Sequence, residues 1–286
     1  MNTVNKIWRT SRRDLDYGDS ALVMAIMNVT PDSFSDGGKF ASIGDVLRRA
    51  EKFVVEGAHI IDVGGESSRP GSSRVSIEEE TYRVVPVIEA IATRLDIPIS
   101  VDTSKAEVAA RALAAGAEII NDISGLRFDA RIAETAAATA AGLVLMHSRG
   151  DFEEMHTKTA APNILRDVAD AFRAAIAKAI SFGVADESIA LDVGIGFGKT
   201  RDQNLELIAK LGKLTAEFRD YPMLIGTSRK SFIGKLLNDE PVNERLSGSI
   251  STAAIAVWNG ASILRVHDVK ETVELVRIVG ALRDQL

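Results

Sequence analysis

The sequence predicts a single α/β domain in which eight parallel strands close into a (β/α)8 (TIM) barrel. Three observations support this prediction: the chain has 286 residues, it contains eight short apolar runs, and segments with helical spacing separate these runs. Barrels of this kind typically take ~250 residues. We therefore expect one barrel domain over residues 21–286, with residues 1–20 as an N-terminal extension or a cap on the barrel bottom. A doubly wound open sheet is the main alternative.

The apolar runs are four to six residues long and rich in Ile, Val and Leu, which is typical of strands buried on both faces. They are Leu22–Met27, His59–Val63, Ile97–Val101, Glu118–Ile123, Leu143–Met146, Ile189–Val193, Pro222–Gly226 and Ser262–Val266. Helical spacing between them is seen at Val46, Ala50, Phe53 and Val54, and at Ile164, Val168, Phe172, Ile176 and Ile180. Gly57, Gly116 and Gly260 each precede a run, where a left-handed residue can end a helix. Such alternation favours parallel βαβ units.

Composition and charge exclude several classes of function. The net charge of -6 argues against general nucleic-acid binding, which requires a basic surface. The chain has no cysteine, so disulfides, thiolate metal sites and a Cys nucleophile are excluded. No apolar run precedes Arg12 and Arg13, and no stretch of ~18 apolar residues exists, so we expect neither a signal peptide nor a membrane span. The sequence is typical of a cytoplasmic protein.

Polar or ionisable residues follow nearly every predicted strand. They are Asn28, Glu66, Asp102, Asn121, Asp122, His147, Asp192, Lys230, Arg265 and His267. All strands of a parallel barrel end at the same face, where catalytic residues gather. Helix N-capping alone can explain some of these residues. The set as a whole predicts a pocket at the strand ends for an anionic, phosphate-bearing small molecule.

Two of the strand ends carry more specific signals. Asp102 is not needed as a helix cap, because Ser104 and Glu107 have the spacing of a capping box for the helix that follows. We therefore expect Asp102 to point into the barrel mouth or the core. Arg265 and His267 are two residues apart at the end of the eighth strand, so they face the same side and can reach one anion.

The loops after the sixth and seventh strands are rich in glycine and cations. Residues 194–200 resemble a nucleotide-binding loop only superficially, because Val193 breaks the P-loop pattern and Lys199 breaks the dinucleotide pattern. We interpret their glycines as bringing backbone close to a ligand, with Phe197 as an apolar wall. Lys230 follows the seventh strand, where barrels often bind phosphate.

Two long loops, residues 28–38 and 64–71, combine Gly and Pro with polar groups, as mobile active-site loops do. Asp36 and Arg69 lie at their tips. Solvated turns are the alternative interpretation.

Taken together, the strand-end segments resemble the dihydropteroate synthase family. The segments are NVTPDSFSDGG, GGESSRPG, SVDTSK, INDISG, LDVGIGFGKT, TSRKSFIG and RVHDV. They occur in order over about residues 22–270. The resemblance implies a transferase of folate biosynthesis, in which the amine of p-aminobenzoate displaces pyrophosphate from 6-hydroxymethyl-7,8-dihydropterin pyrophosphate to give 7,8-dihydropteroate. The family is a sulfonamide target and is commonly dimeric, so the resemblance also implies a homodimer.

The resemblance implies three substrate subsites. The pterin ring is expected at Asp102, Asn121, Asp192 and Lys230. The pyrophosphate is expected at Asn28, Ser68, Arg69, Arg265 and His267, with Mg2+ near Asn28. The p-aminobenzoate is expected among Phe34, Pro70, Phe197 and Ser231. Asp36 is expected to face the developing pterin cation, so that the catalytic residues are Asp36, Lys230 and Asn28.

Two positions depart from the family pattern: Ser68 stands where the family usually has Thr, and Val193 where it commonly has Pro. Two other functions compete with an active synthase. A pterin-binding methyltransferase barrel is disfavoured by Lys230 and by the Arg265 and His267 pair, because a methyl donor carries no pyrophosphate. A non-catalytic pterin-binding paralogue is disfavoured because the expected catalytic residues are intact.

Overall fold

The structure is a computed structural model, and it describes residues 6–18, 20–30, 42–68, 71–155 and 160–285. Eight parallel strands form a closed barrel, which confirms the predicted fold and excludes the open sheet. In chain order these strands are β3 (Leu22–Asn28), β4 (Ile60–Gly64), β5 (Ile99–Asp102), β6 (Ile119–Asp122), β7 (Gly142–Met146), β8 (Ile189–Asp192), β9 (Met223–Ile225) and β10 (Ile263–Val266). They follow one another around the barrel, and β10 closes it by pairing with β3.

Helices cover the outside of the barrel. They are α1 (Ile43–Glu56), α2 (Ile77–Arg94), α3 (Ala106–Ala114), α4 (Arg131–Thr139), α5 (Ile164–Ser181), α6 (Arg201–Ala209), α7 (Leu211–Glu217), α8 (Ser231–Leu236), α9 (Leu246–Trp258) and α10 (Val269–Arg283). Most apolar residues of the main core lie between these helices and the strands. Within the described part of the chain, no helix has the length and apolar character needed to cross a bilayer.

A short hairpin packs against the N-terminal ends of the strands. It consists of β1 (Ile7–Arg9) and β2 (Asp14–Asp16), which pair antiparallel. Trp8 is completely buried there, and its indole Nε1 donates a hydrogen bond to the Ser188 carbonyl, 2.8 Å away. Trp8 clusters with residues near the starts of the strands, among them Leu22 and Ile60. The hairpin therefore fills the end of the barrel opposite the strand-end site.

The glycine-terminated helix ends agree with the sequence prediction, and the predicted buried faces agree except at two residues. Gly57, Gly116 and Gly260 have φ values of 95°, 121° and 95°, which confirms their left-handed conformation. Ile180 is 46% exposed and Val54 is 40% exposed, so their predicted burial is wrong. Residues four apart drift by about 40° per step on a helix of 3.6 residues per turn, so the last member of a long i+4 series leaves the buried face.

The predicted capping box before α3 is also wrong. The helix begins at Ala106, one residue too late for Ser104 to cap it, and the Ala106 N–H donates instead to the Asp129 carboxylate at 3.0 Å. Ser104 accepts a hydrogen bond from Arg74, and Glu107 pairs with Arg111 on the solvent side. The cap comes from the next βα unit, which local spacing cannot reveal.

Candidate active site

Barrel register brings four strand-end residues into one row. Asn28 on β3 lies beside Gly64 on β4, Gly64 lies beside Asp102 on β5, and Asp102 lies beside Asn121 on β6. These strands are parallel, so their last residues share the C-terminal rim of the barrel. The pairing of the strands therefore places Asn28, Asp102 and Asn121 along one rim, and their roles toward a substrate stay predictions.

Arg265 crosses the barrel interior to meet this row. Its Nε donates to Asp62 Oδ2 and its Nη2 donates to Asp102 Oδ2, each at 2.6 Å. Asn121 Nδ2 donates to the same Asp62 oxygen at 3.1 Å. Asp62 is fully buried, so its charge requires these partners. Burial, together with the negative charge of Asp62, raises the pKa of Asp102 to about 7, although the positive charge of Arg265 opposes this shift.

Asn121 offers an acceptor that no protein group in the described part of the chain occupies. The side chain is 2% exposed, and within the described residues its Oδ1 has no hydrogen-bond partner. A buried amide oxygen without a partner is costly unless a ligand or water completes it. Asn121 can therefore accept a hydrogen bond from a bound molecule at the floor of the site.

Asp192, Phe197 and Lys230 form the opposite wall. Asp192 Oδ1 accepts a hydrogen bond from the Gly194 N–H at 2.7 Å, and burial raises the pKa of this carboxyl. Lys230 Nζ lies 4.3 Å from the centroid of the Phe197 ring, a cation–π contact. Burial and the charge of Arg265 lower the pKa of Lys230 to about 8, while the charge of Asp192 opposes both effects.

His267 lies just beyond β10, and Ser228 orients it. The two side chains meet at 3.0 Å between Nδ1 and Oγ, and the backbone N–H of His267 donates to the same hydroxyl. Burial and the charge of Arg229 lower the pKa of His267 to about 3, so the ring is neutral here. Arg229 itself pairs with Asp268 through two hydrogen bonds. Access of Arg265 and His267 to one anion remains a prediction.

A buried cluster of three charged residues, Glu66, Glu80 and Lys105, fixes the start of the loop after β4. Lys105 Nζ donates to Glu66 at 2.8 Å and to Glu80 at 2.5 Å. Glu66 also accepts the backbone N–H of Val75 at 2.7 Å, across the loop. Ser68 is half-buried in this loop. The cluster fixes the base of the loop whose next residues were expected to bind pyrophosphate.

The other predicted site residues have different outcomes. Phe34, Asp36, Arg69 and Pro70 lie outside the described residues. Ser231 is exposed at the first position of α8. The strand-end carboxylate of Asp122 accepts hydrogen bonds from Ser124 and Leu126 and so organises its own turn.

From the sequence we expect no direct ligand contact from Asp62 and assign no role to Lys199, yet the structure places both charged residues in the site. Asp62 lies two residues before the end of β4, where the signal was one carboxylate in an otherwise apolar buried strand. Lys199 ends the glycine-rich loop after β8, and its Nζ donates to three backbone carbonyls. A lysine among glycines gave no sequence signal beyond breaking a nucleotide-binding pattern.

Comparison with known proteins identifies the family. The chain matches the family model described as pterin binding enzyme over residues 24–267. The fold and the site therefore define a pterin-binding barrel. The chain is 49% identical over 261 residues to the dihydropteroate synthase of Escherichia coli strain K12, covering 91% of this chain and 90% of the relative. It is 45% identical over 267 residues to that of Synechocystis, covering 93% and 92%. The chain belongs to the dihydropteroate synthase family.

Solved structures lead to the same family. A Yersinia pestis dihydropteroate synthase in complex with a sulfonamide drug superposes with a TM-score of 0.91 at 44% identity, covering 97% of this chain and 99% of the other. A Xanthomonas albilineans dihydropteroate synthase with 4-aminobenzoic acid gives a TM-score of 0.90 at 37% identity, covering 98% and 99%. The predicted family, fold and transferase function are confirmed, and the sulfonamide-target class agrees.

Proposed function

We propose that this dihydropteroate synthase recognises the pterin ring with Asp102, Asn121, Asp192 and Lys230. The observation that carries the assignment is the buried Oδ1 of Asn121, which has no partner among the residues that the structure describes and lies in the same site as a carboxylate and an ammonium group. The amino-pyrimidine edge of a pterin offers paired donors, which the Asp192 carboxylate accepts. Lys230 donates to ring oxygen and nitrogen acceptors. The slot thus complements a flat, neutral, polar ring.

The pyrophosphate subsite is proposed at Asn28, Ser68, Arg69, Arg265 and His267. Arg265 uses Nε and Nη2 on two carboxylates, but a guanidinium has five N–H donors, so others remain for an anion. Within the described residues, no group of three or more His, Cys, Asp or Glu could hold a metal. A single protein ligand, the amide oxygen of Asn28, is compatible with Mg2+, because this ion is commonly bound by few protein ligands together with substrate phosphates. Bound there, Mg2+ would supply charge neutralisation on the leaving group.

The p-aminobenzoate subsite is proposed among Phe34, Pro70, Phe197 and Ser231. Phe197 is 7% exposed and presents a ring against Lys230, and Ser231 offers an exposed hydroxyl. In the reaction the amine nitrogen bonds to the methylene carbon of the pterin, while the carbon–oxygen bond to pyrophosphate breaks. The bonding electrons leave with pyrophosphate, and the amine loses a proton. Asp36 faces the positive charge that develops on the pterin in this assignment.

We also propose that the protein is a cytoplasmic homodimer. Large apolar side chains are exposed along α8, α9 and α10, and an apolar surface of this kind is typical of a subunit interface. They are Leu236, Leu237, Leu246, Ile255, Trp258, Ile278 and Leu282. The lack of cysteine suits a reducing compartment. Light scattering should give the mass of two chains, and Trp258→Glu should give one; a monomeric wild type would contradict the proposal.

Turnover is tested by following pyrophosphate release from the dihydropterin pyrophosphate with Mg2+, with and without p-aminobenzoate. We expect amine-dependent formation of 7,8-dihydropteroate; a folded protein that makes none would be a non-catalytic paralogue. Lys230→Ala should weaken pterin binding about 10- to 100-fold, since a charged hydrogen bond contributes ~1.5–3 kcal/mol. Lys213→Ala, on the exposed side of α7, is the matched control. Loss of folding in Lys230→Ala alone would instead indicate a structural role for this lysine.

A further inference from the structure

Lys199 joins two strand-end loops through its side chain. Its Nζ donates to the carbonyl oxygens of His147 at 3.1 Å, Gly194 at 2.8 Å and Phe197 at 3.0 Å. An ammonium group has three donors, and here each one has an acceptor. His147 follows β7, whereas Gly194 and Phe197 belong to the loop after β8. One side chain therefore ties the loop after β8 to its neighbour and to itself.

The loop that Lys199 ties has little intrinsic preference for its own conformation. Gly194, Gly196 and Gly198 have φ values of 65°, 87° and 65°, and glycine loses more backbone entropy on ordering than any other residue. A Cβ at Gly194 would lie 1.9 Å from the His147 carbonyl oxygen, so this loop is pressed directly onto the neighbouring one. Close backbone approach needs the glycines, and side chains outside the glycine run hold them: Asn204 accepts the Gly196 N–H at 2.7 Å, Arg149 donates to the Gly198 carbonyl at 3.4 Å, and Lys199 bonds to Gly194 and Phe197.

The tethered segment carries two groups of the proposed substrate site. Gly194 donates its N–H to Asp192, and Phe197 presents its ring to Lys230. Helix capping does not account for the lysine, because Thr200 and Gln203 already form a capping box for α6. Lys199 is thus attached to the backbone of the residues that shape the site and is not required by the helix that follows.

We propose that Lys199 is a positioning residue that sets the p-aminobenzoate subsite by holding the Phe197 ring in place. This inference rests on the proposed role of Phe197 in binding p-aminobenzoate. Lys199 acts through the backbone carbonyl of Phe197 and contacts neither substrate in the proposed arrangement. Its removal should therefore raise the KM for p-aminobenzoate more than it weakens binding of the pterin pyrophosphate.

The test compares Lys199→Met with the control Lys210→Met. Lys210 is an exposed lysine eleven residues further along the chain, and in the described structure its side chain pairs only with Glu206. We expect about a tenfold higher KM for p-aminobenzoate in Lys199→Met, the effect of losing about one net hydrogen bond. Hydrogen exchange of residues 194–199 should also become faster, while Lys210→Met changes neither quantity. A folded Lys199→Met protein with unchanged KM and unchanged exchange would overturn the proposal.

A double mutant separates this inference from the proposed amine site. If Lys199 acts through Phe197, adding Lys199→Met to Phe197→Ala should raise the KM by much less than it does in the wild type. Fully multiplicative effects would refute the coupling. If Phe197→Ala leaves the KM unchanged, the proposed p-aminobenzoate site is wrong, while hydrogen exchange still reports whether Lys199 holds the loop.

One further variant covers the case in which Lys199→Met does not fold. The same measurements then apply to Lys199→Gln, which keeps two N–H donors.

Chemical rescue tests the hydrogen-bonding role directly. In Lys199→Ala, added ethylammonium should lower the KM for p-aminobenzoate toward the wild-type value by occupying the carbonyl site. Tetramethylammonium, which has no N–H donor, should not; equal rescue by both cations would contradict a hydrogen-bonding role.

Discussion

Replacing Arg265 with methionine tests whether the site is built on a buried ion cluster. The guanidinium bonds to Asp62 and Asp102, each at 2.6 Å, and the three side chains are 20%, 0% and 14% exposed. Methionine keeps much of the apolar stem, so the packing change is small. The substitution leaves two buried carboxylates near each other without their cation. Removing one partner of a buried ion pair costs ~3–5 kcal/mol of unfolding free energy, and we expect a loss of this size at pH 8.

The loss should depend on pH in a definite direction. The pKa of Asp102 is raised to about 7, so in the wild type this carboxyl is largely protonated below pH 6 and ionised above pH 8. A group whose pKa is raised in the folded state destabilises the fold as pH rises through that pKa. Without Arg265 the pKa rises further, so the variant avoids part of the penalty by staying protonated. The stability difference between variant and wild type should therefore shrink from pH 8 to pH 6.

Urea unfolding followed by circular dichroism at both pH values measures this difference. Arg201→Met is the control, because Arg201 pairs with Asp202 on the exposed surface, where ion pairs contribute little. A loss below ~1 kcal/mol at pH 8 would show that the buried carboxylates do not depend on Arg265. A loss of equal size at both pH values would refute the account of Asp102.

Three other predictions follow from the two ends of the barrel. Trp8→Ala should cost ~3–5 kcal/mol of stability without changing either KM, since Trp8 packs at the far end; a changed KM in the folded variant would contradict this. The Lys230 Cε resonance, assigned by substitution, should titrate near pH 8; titration near 10.5, the ordinary lysine value, would refute the lowering of its pKa by burial. Gly194→Ala should cost ~1–3 kcal/mol from its left-handed backbone alone and more from its carbonyl contact, whereas Gly280→Ala, with open space around it, should not destabilise; equal unfolding midpoints would contradict the contact.

The barrel could be predicted almost completely because its signal is local. Each barrel strand is an apolar run bounded by polar residues, and all eight lie within two residues of their predicted positions, whereas the hairpin strands β1 and β2 were not predicted. Parallel closure then places all strand ends at one rim, so Asn28, Asp102 and Asn121 were predicted together. The same local rules failed at Ser104, because the group that caps α3 is Asp129 from the next unit.

Partners across the barrel could not be predicted, for a different reason. Arg265 and Asp62 are 203 residues apart in sequence, and spacing within one strand says nothing about the side chain opposite it. Sequence analysis therefore assigned Arg265 to an external anion and missed its carboxylate partners. Lys199 was missed similarly, since its acceptors are backbone carbonyls that carry no residue-type signal.

The electrostatics of the site suggest how one barrel mouth serves a neutral ring and an anion. Near the ring slot, Asp62, Asp102 and Asp192 face Arg265 and Lys230, and burial raises the pKa of Asp102 and Asp192. Uptake of one proton by this set leaves it close to neutral, which suits a ring recognised by hydrogen bonds.

The rim beyond β10 differs from the ring slot in its charge, because it is lined by arginines and by a neutral histidine. Burial and the neighbouring arginines lower the pKa of His267 to about 3. An incoming pyrophosphate would offset those arginine charges and raise that pKa, and its departure would reverse the change. In the proposed assignment, Arg265 contacts both regions, since it neutralises the carboxylates of the slot while its remaining donors face the leaving group. In that assignment, the same guanidinium would couple recognition of the ring to stabilisation of the charge that departs from it.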